Sequence, residues 1–90
     1  MIRKTVFYRG RVQGVGFRFT ASRVAMQHEV SGYVRNLRDG RVEMVAEGDP
    51  AEVNNLLGDI ADRMRDYIDE AEVTTEKIQQ PAHADFEVRR

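Results

Sequence analysis

Gly10-Arg11-Val12-Gln13-Gly14-Val15-Gly16-Phe17-Arg18 is the stretch on which the fold of this chain turns. On its N-terminal side, residues 4–12 carry Val6, Tyr8, Gly10 and Val12 at period two, interleaved with Thr5, Phe7, Arg9 and Arg11. That alternation describes a half-buried strand. On its C-terminal side, Phe17, Ala21, Val24, Ala25 and His28 recur at spacings of three and four, the apolar stripe of a short amphipathic helix. A strand therefore passes through a glycine-rich loop straight into a helix.

The loop has the composition of an anion cradle. Glycines adopt left-handed backbone angles without steric cost, so successive N–H groups can converge on one oxygen-rich ligand. The first turn of the following helix adds free N–H groups and the positive end of its dipole, and Arg18 adds a bidentate fork. A nucleotide loop would end in Lys-Ser/Thr, and a dinucleotide fingerprint would space its glycines differently from positions 10, 14 and 16. Glycine spacing alone is equally compatible with a plain turn, and an arginine in a first helical turn is ordinarily just solvated.

Further along, Gly32 to Asn36 resumes strand character, and Leu37-Arg38-Asp39-Gly40 is a turn. Val42, Met44 and Ala46 then alternate with Glu43, Val45 and Glu47, which makes a hairpin with Asn36 at its tip end. Asp49 caps a helix beginning at Pro50, Glu52 completes a capping-box pattern, and Val53, Leu56, Leu57, Ile60, Ala61 and Met64 mark its buried face. Beyond Tyr67, Val73 and Ile78 are out of phase for a simple strand, which predicts a bulge or partial pairing within 71–79. Pro81 interrupts, and Phe86 and Val88 form a short last strand. The order predicts an α+β, ferredoxin-like βαββαβ sandwich: an antiparallel sheet with two helices on one face and a short extra C-terminal strand, one domain over residues 1–90.

Ninety residues leave no room for a second core, and 41% hydrophobic with 32% charged residues describes a globular chain. No apolar run approaches a membrane span and Met1-Ile2-Arg3-Lys4 leads directly into a strand, so the expected location is cytoplasmic with no membrane partner. Zero cysteines remove disulfides, thiolate catalysis and cysteine zinc sites. Residues 1–41 hold nine Lys/Arg against two Asp/Glu, and residues 42–90 hold five against thirteen, so the cradle lies in the basic half. Such a field steers small anions, although the two halves can equally neutralise each other in the fold. His28 and His83 have no acidic or histidine partner at ligand spacing and read as surface residues, so no metal is expected. Asp59, Asp62, Asp66 and Asp69 fit a solvated helix face and its exit. Met26, Met44 and Met64 read as core filler, and Val15 and Phe17 as packing residues.

The nine-residue stretch, taken with its non-glycine positions, closely resembles the signature of the acylphosphatase family. Gly32-Tyr33-Val34-Arg35-Asn36 followed by Asp39-Gly40-Arg41-Val42-Glu43 resembles that family's second signature, and Phe86-Glu87-Val88-Arg89 is similar to its last strand. The resemblance implies hydrolysis of small acyl phosphates to a carboxylate and inorganic phosphate. It implies that the backbone of Gln13, Gly14, Val15, Gly16, Phe17 and Arg18, with the Arg18 guanidinium, binds phosphate, and that Arg18 and Asn36 are the catalytic residues. Asn36 resembles the family's water-positioning residue, although an asparagine at a hairpin end is common for local backbone reasons. Two departures stand out. Leu37 follows Asn36 where vertebrate members carry a threonine, and His83-Ala84-Asp85 stands where a glycine often lies. In some relatives the terminal carboxylate pairs with the phosphate-binding arginine, which would give the Arg90 carboxylate a role in orienting Arg18.

No cofactor is expected, and the partners implied are a small acyl phosphate and inorganic phosphate, handled by a monomer. A noncatalytic anion-binding or regulatory module of the same fold is the alternative, since similar domains occur at the start of larger carbamoyl-phosphate-handling proteins. The presence of both Arg18 and Asn36 favours turnover. RNA-recognition domains share the βαββαβ order, but they stack bases on aromatics of both central strands. Residues 41–48 offer no aromatic and carry Glu43 and Glu47, so no nucleic acid partner is expected.

Overall fold

The computed structural model describes residues 1–90 and contains β1 (Ile2–Gly10), α1 (Phe17–Ala25), β2 (Val30–Asn36), β3 (Val42–Gly48), α2 (Pro50–Arg63), β4 (Ile68–Lys77) and β5 (Phe86–Arg89). The strands form one sheet in the order β4-β1-β3-β2-β5. The first four pair antiparallel, whereas β5 runs parallel to β2, so the complete sheet is mixed rather than antiparallel throughout. β1 stops at Gly10, two residues short of the predicted end, yet Val12 stays buried in the loop.

The sheet splits its side chains between two faces at period two. Val6 lies opposite Met44, Met44 opposite Val34, and Val34 opposite Val88, a single apolar row across four strands. Both helices pack on that side, where Phe17, Ala21, Val24 and Ala25 of α1 and Val53, Leu56 and Ile60 of α2 join the core. Fully burying a side chain of this size contributes about 1.5–3 kcal/mol, so this one layer carries most of the fold's stability. Being the middle strand, β3 has all seven residues buried, not just the alternate ones its pattern marks.

Several local expectations change. Ala61 is exposed and Leu57 only half-buried, because the apolar stripe of α2 is narrower than its sequence suggests. Asp49 is the helix N-cap without a side-chain capping bond; the Glu52 carboxylate instead accepts the Glu29 N–H at 2.7 Å, tying α2 to the start of β2. Met44 and Met64 fill the core, but Met26 is 84% exposed because α1 ends just before it. Val15 is exposed, whereas Phe17 packs fully.

β4 is continuous through Val73, and the irregularity sits elsewhere: Arg9 faces Glu70 while Gly10 faces Ile68, leaving Asp69 as the extra residue. Gly10 has φ 131°, and a Cβ there would stand 2.3 Å from the Tyr67 carbonyl oxygen, so this bulge demands glycine.

Neither histidine is alone. His28 Nε2 lies 2.8 Å from Asp59 Oδ2 because α2 crosses beside the end of α1, and His83 Nδ1 lies 3.0 Å from Glu47 Oε1. Residues 78–85 have no regular structure, and Glu47 anchors them. Its Oε1 accepts the N–H groups of Ala82 and His83 at 3.0 and 3.2 Å, while Oε2 takes Arg3 Nε and Nη2 at 2.7 and 2.6 Å. Arg3 also reaches Glu76 at 3.0 Å, so this knot joins β1, β3, β4 and the approach to β5.

Candidate active site

The loop between β1 and α1 turns on Gly14 and Gly16, whose φ angles are 77° and 78°. A Cβ at either would meet nothing within 4 Å, so the backbone angle alone selects glycine. Gly16 is the N-cap of α1 and has no side chain to satisfy the first-turn N–H groups, which stay available at the positive end of the helix.

Gln13 shapes this loop through its side chain. Its amide nitrogen donates to the Leu37 carbonyl at 2.7 Å and to the Arg41 carbonyl at 2.9 Å. Those two residues close the β2–β3 turn, where the Leu37 N–H also donates to the Arg41 carbonyl at 2.8 Å. The amide thus pins the cradle to the hairpin that carries Asn36. The sequence assigns Gln13 only through its backbone and does not disclose this side-chain role, because the carbonyls it reaches are 24 and 28 residues away in the chain.

Beneath the loop, Tyr8 and Phe17 stack with ring centroids 4.8 Å apart, and burial pushes the Tyr8 phenol up, which keeps it neutral under an anion-attracting site. Tyr8 lies opposite Val42, and Val42 opposite Asn36, so Asn36 shares the helix-side face of the sheet with the buried ring.

A pocket of about 410 Å³ opens here, lined by Val12, Gly14, Gly16, Phe17, Arg18, Phe19, Asn36, Val88 and Arg90. It brings Arg18 and Asn36 together, although they are on different elements. Of the six loop residues predicted to bind phosphate, Gly14, Gly16, Phe17 and Arg18 line it, whereas Gln13 and Val15 do not. Arg18 Nη1 donates to the backbone carbonyl of Arg89 at 3.0 Å, which orients the guanidinium from β5. The terminal carboxylate of Arg90 makes no ion pair with Arg18; the strand carbonyl one residue earlier holds that position. Arg18 makes no salt bridge, leaving the rest of its fork uncommitted.

Asn36 Oδ1 is buried without a hydrogen-bond partner. The other such atom, Ser31 Oγ, sits at the far end of β2 opposite Glu47, away from the cradle. The pocket lining contains no histidine, carboxylate side chain or hydroxyl nucleophile. Nowhere do three His, Cys, Asp or Glu side chains converge to hold a metal ion, and no helix is long and apolar enough to cross a membrane.

Fold and pocket together define a small α/β sandwich with an anion-complementary loop at one end of its sheet. The family model described as Acylphosphatase matches residues 4–88, and the chain belongs to the acylphosphatase family. An acylphosphatase from a Synechococcus species is 57% identical over 56 residues, which cover 62% of this chain and 60% of the relative, so the matched stretch spans under two thirds of that relative's length. The crystal structure of an acylphosphatase from Bacillus subtilis superposes over 100% of both chains with a TM-score of 0.88 at 27% identity. A Coxiella burnetii acylphosphatase structure is 31% identical, with 97% of this chain and 90% of that one covered and a TM-score of 0.73.

Proposed function

We propose that the chain hydrolyses the carboxyl-phosphate anhydride of small acyl phosphates. In this reading the phosphoryl group lies in the cradle, held by loop and helix N–H groups of residues 13–18 and by the Arg18 fork. Charge on the equatorial phosphoryl oxygens is what such fixed donors stabilise through the transition state. Asn36 holds a water molecule in line with the leaving oxygen. The water oxygen forms a bond to phosphorus, the P–O bond to the acyl group breaks, and its electron pair departs on the carboxylate. One water proton passes to a phosphate oxygen, giving carboxylate and inorganic phosphate.

The observation that carries this reading is that Arg18 and Asn36, from different elements, line one pocket beside the glycine loop. The absence of an acid–base side chain from the lining fits a leaving carboxylate, whose conjugate acid has a pKa of about 4 and needs no protonation to depart. The reading makes the reaction independent of metal, carried out by a monomer in the cytoplasm.

Benzoyl phosphate hydrolysis in the presence of a chelator tests it. Chelator-resistant turnover, competitively inhibited by inorganic phosphate, is expected. A folded chain that binds phosphate without turning over benzoyl phosphate would instead be an anion-binding module.

A further inference from the structure

Three large apolar side chains are exposed on the elements that bound the cradle, Val15 at 36%, Phe19 at 64% and Val88 at 47%, while Met26, at 84%, stands at the opposite end of α1. They are not scattered. Phe19 and Val88 line the pocket that holds Arg18 and Asn36, and Phe19 also lines a shallow neighbouring groove with Arg23, Met26 and Gln27. Phe19 is therefore the common wall of both, with Arg23 stacked 5.5 Å from its ring centroid.

Within the first pocket the buried and exposed linings occupy different depths. Val12 and Phe17 are each 1% exposed and form the floor with the sheet residue Asn36, whereas Phe19 and Val88 stand at the mouth. In-line displacement places the attacking water and the leaving oxygen on opposite sides of phosphorus. A water held by Asn36 at the floor sends the acyl group outward, across Phe19 and Val88 and toward the groove.

We infer that Phe19, with Val88 and the stem of Arg23, forms an acyl-binding shelf that selects apolar acyl groups, aryl or medium alkyl, over acetyl. The inference rests on the proposed acyl phosphate hydrolysis, and it explains why α1 exposes Phe19 beside a polar cradle. An isolated exposed apolar residue needs no explanation, but a set bordering a polar pocket does.

The test measures binding separately from turnover, using methylphosphonate and benzylphosphonate, which share an anionic head and differ in the group beyond it. The wild type binds benzylphosphonate about tenfold more tightly, as expected for an aryl ring on a partly exposed apolar shelf. Phe19→Ala removes most of that preference, Phe19→Leu restores part of it, and the ratio of kcat/KM for benzoyl over acetyl phosphate follows the same order. Phe19 is more than half exposed, so both variants are expected to fold. Equal affinity of the wild type for the two phosphonates, or a Phe19→Ala variant that retains the preference, would overturn the shelf. Selective benzylphosphonate binding without hydrolysis of either acyl phosphate would uphold the shelf and remove the hydrolytic reading.

Discussion

At one end of the sheet the buried oxygen of Asn36 has no partner, while at the other the buried carboxylate of Glu47 faces five nitrogens within 3.2 Å. Both groups belong to central strands, and both are surrounded by protein. Glu47 is a finished structure: two arginine nitrogens, two backbone N–H groups and a histidine ring consume its lone pairs. The cradle end leaves most of the Arg18 fork and the first-turn N–H groups of α1 unspent. Polarity that is satisfied stabilises a fold, and polarity that is preorganised but unsatisfied is available to a ligand. Substitutions at the two ends should therefore separate activity from stability.

The largest expected effect is at Arg18. Arg18→Gln is predicted to lower benzoyl phosphate turnover about 10³-fold and to weaken phosphate inhibition, with a stability loss of about 1 kcal/mol in urea unfolding from the bond to the Arg89 carbonyl. A large stability loss would mean that the two ends do not differ in kind. Next comes Glu47→Ala, predicted to cost about 3 kcal/mol in stability by stranding Arg3 and the N–H groups of Ala82 and His83. Its turnover, measured where the variant is folded, should fall far less than that of Arg18→Gln. Gln13→Ala sharpens the contrast from the boundary, because Gln13 joins the cradle to the hairpin. Losing its two hydrogen bonds is predicted to cost about 1–2 kcal/mol and also to weaken phosphate binding severalfold, read by calorimetry and inhibition together.

The smallest expected effect is a pH dependence confined to the Glu47 end. Burial alone would raise the Glu47 pKa, but hydrogen bonds from His83, Arg3 and the N–H groups of Ala82 and His83 outweigh it and hold the carboxyl below its ordinary value of 4.5. Because the folded-state value is depressed, the stability it contributes is fully present above 4.5 and is lost as pH falls through the folded value. As pH falls from above 4.5 through the depressed folded-state value, the wild type should lose more stability than Glu47→Ala. Identical acid profiles would show that the carboxylate is not held in its charged form.

The cradle end was the more legible of the two in sequence. Left-handed glycines, a strand-to-helix switch and an arginine are local signals, and Gly14, Gly16, Phe17 and Arg18 all line the pocket. Asn36 is assigned to the same site only through its resemblance to the family's second signature, since on local pattern alone it reads as an ordinary hairpin-end residue. The Glu47 knot was illegible, since its partners Arg3, Glu76, Ala82 and His83 are scattered along the chain and alternation marked Glu47 only as an outward residue. The same blindness to long-range contacts hid the role of Gln13, the Arg89 carbonyl behind Arg18 and both histidine–carboxylate pairs. Parallel pairing of β5 was also missed, because four residues of alternating pattern carry no information about direction.

The most direct test of the account is Asn36→Ala, measured for benzoyl phosphate turnover, phosphate inhibition and urea unfolding on one preparation. A water-positioning role predicts a fall in kcat of about 10²-fold or more, retained phosphate inhibition, and stability equal to or above the wild type because a buried unpaired oxygen has been removed. Near-normal turnover in a variant destabilised by several kcal/mol would contradict it, and would make Asn36 a structural residue of the hairpin.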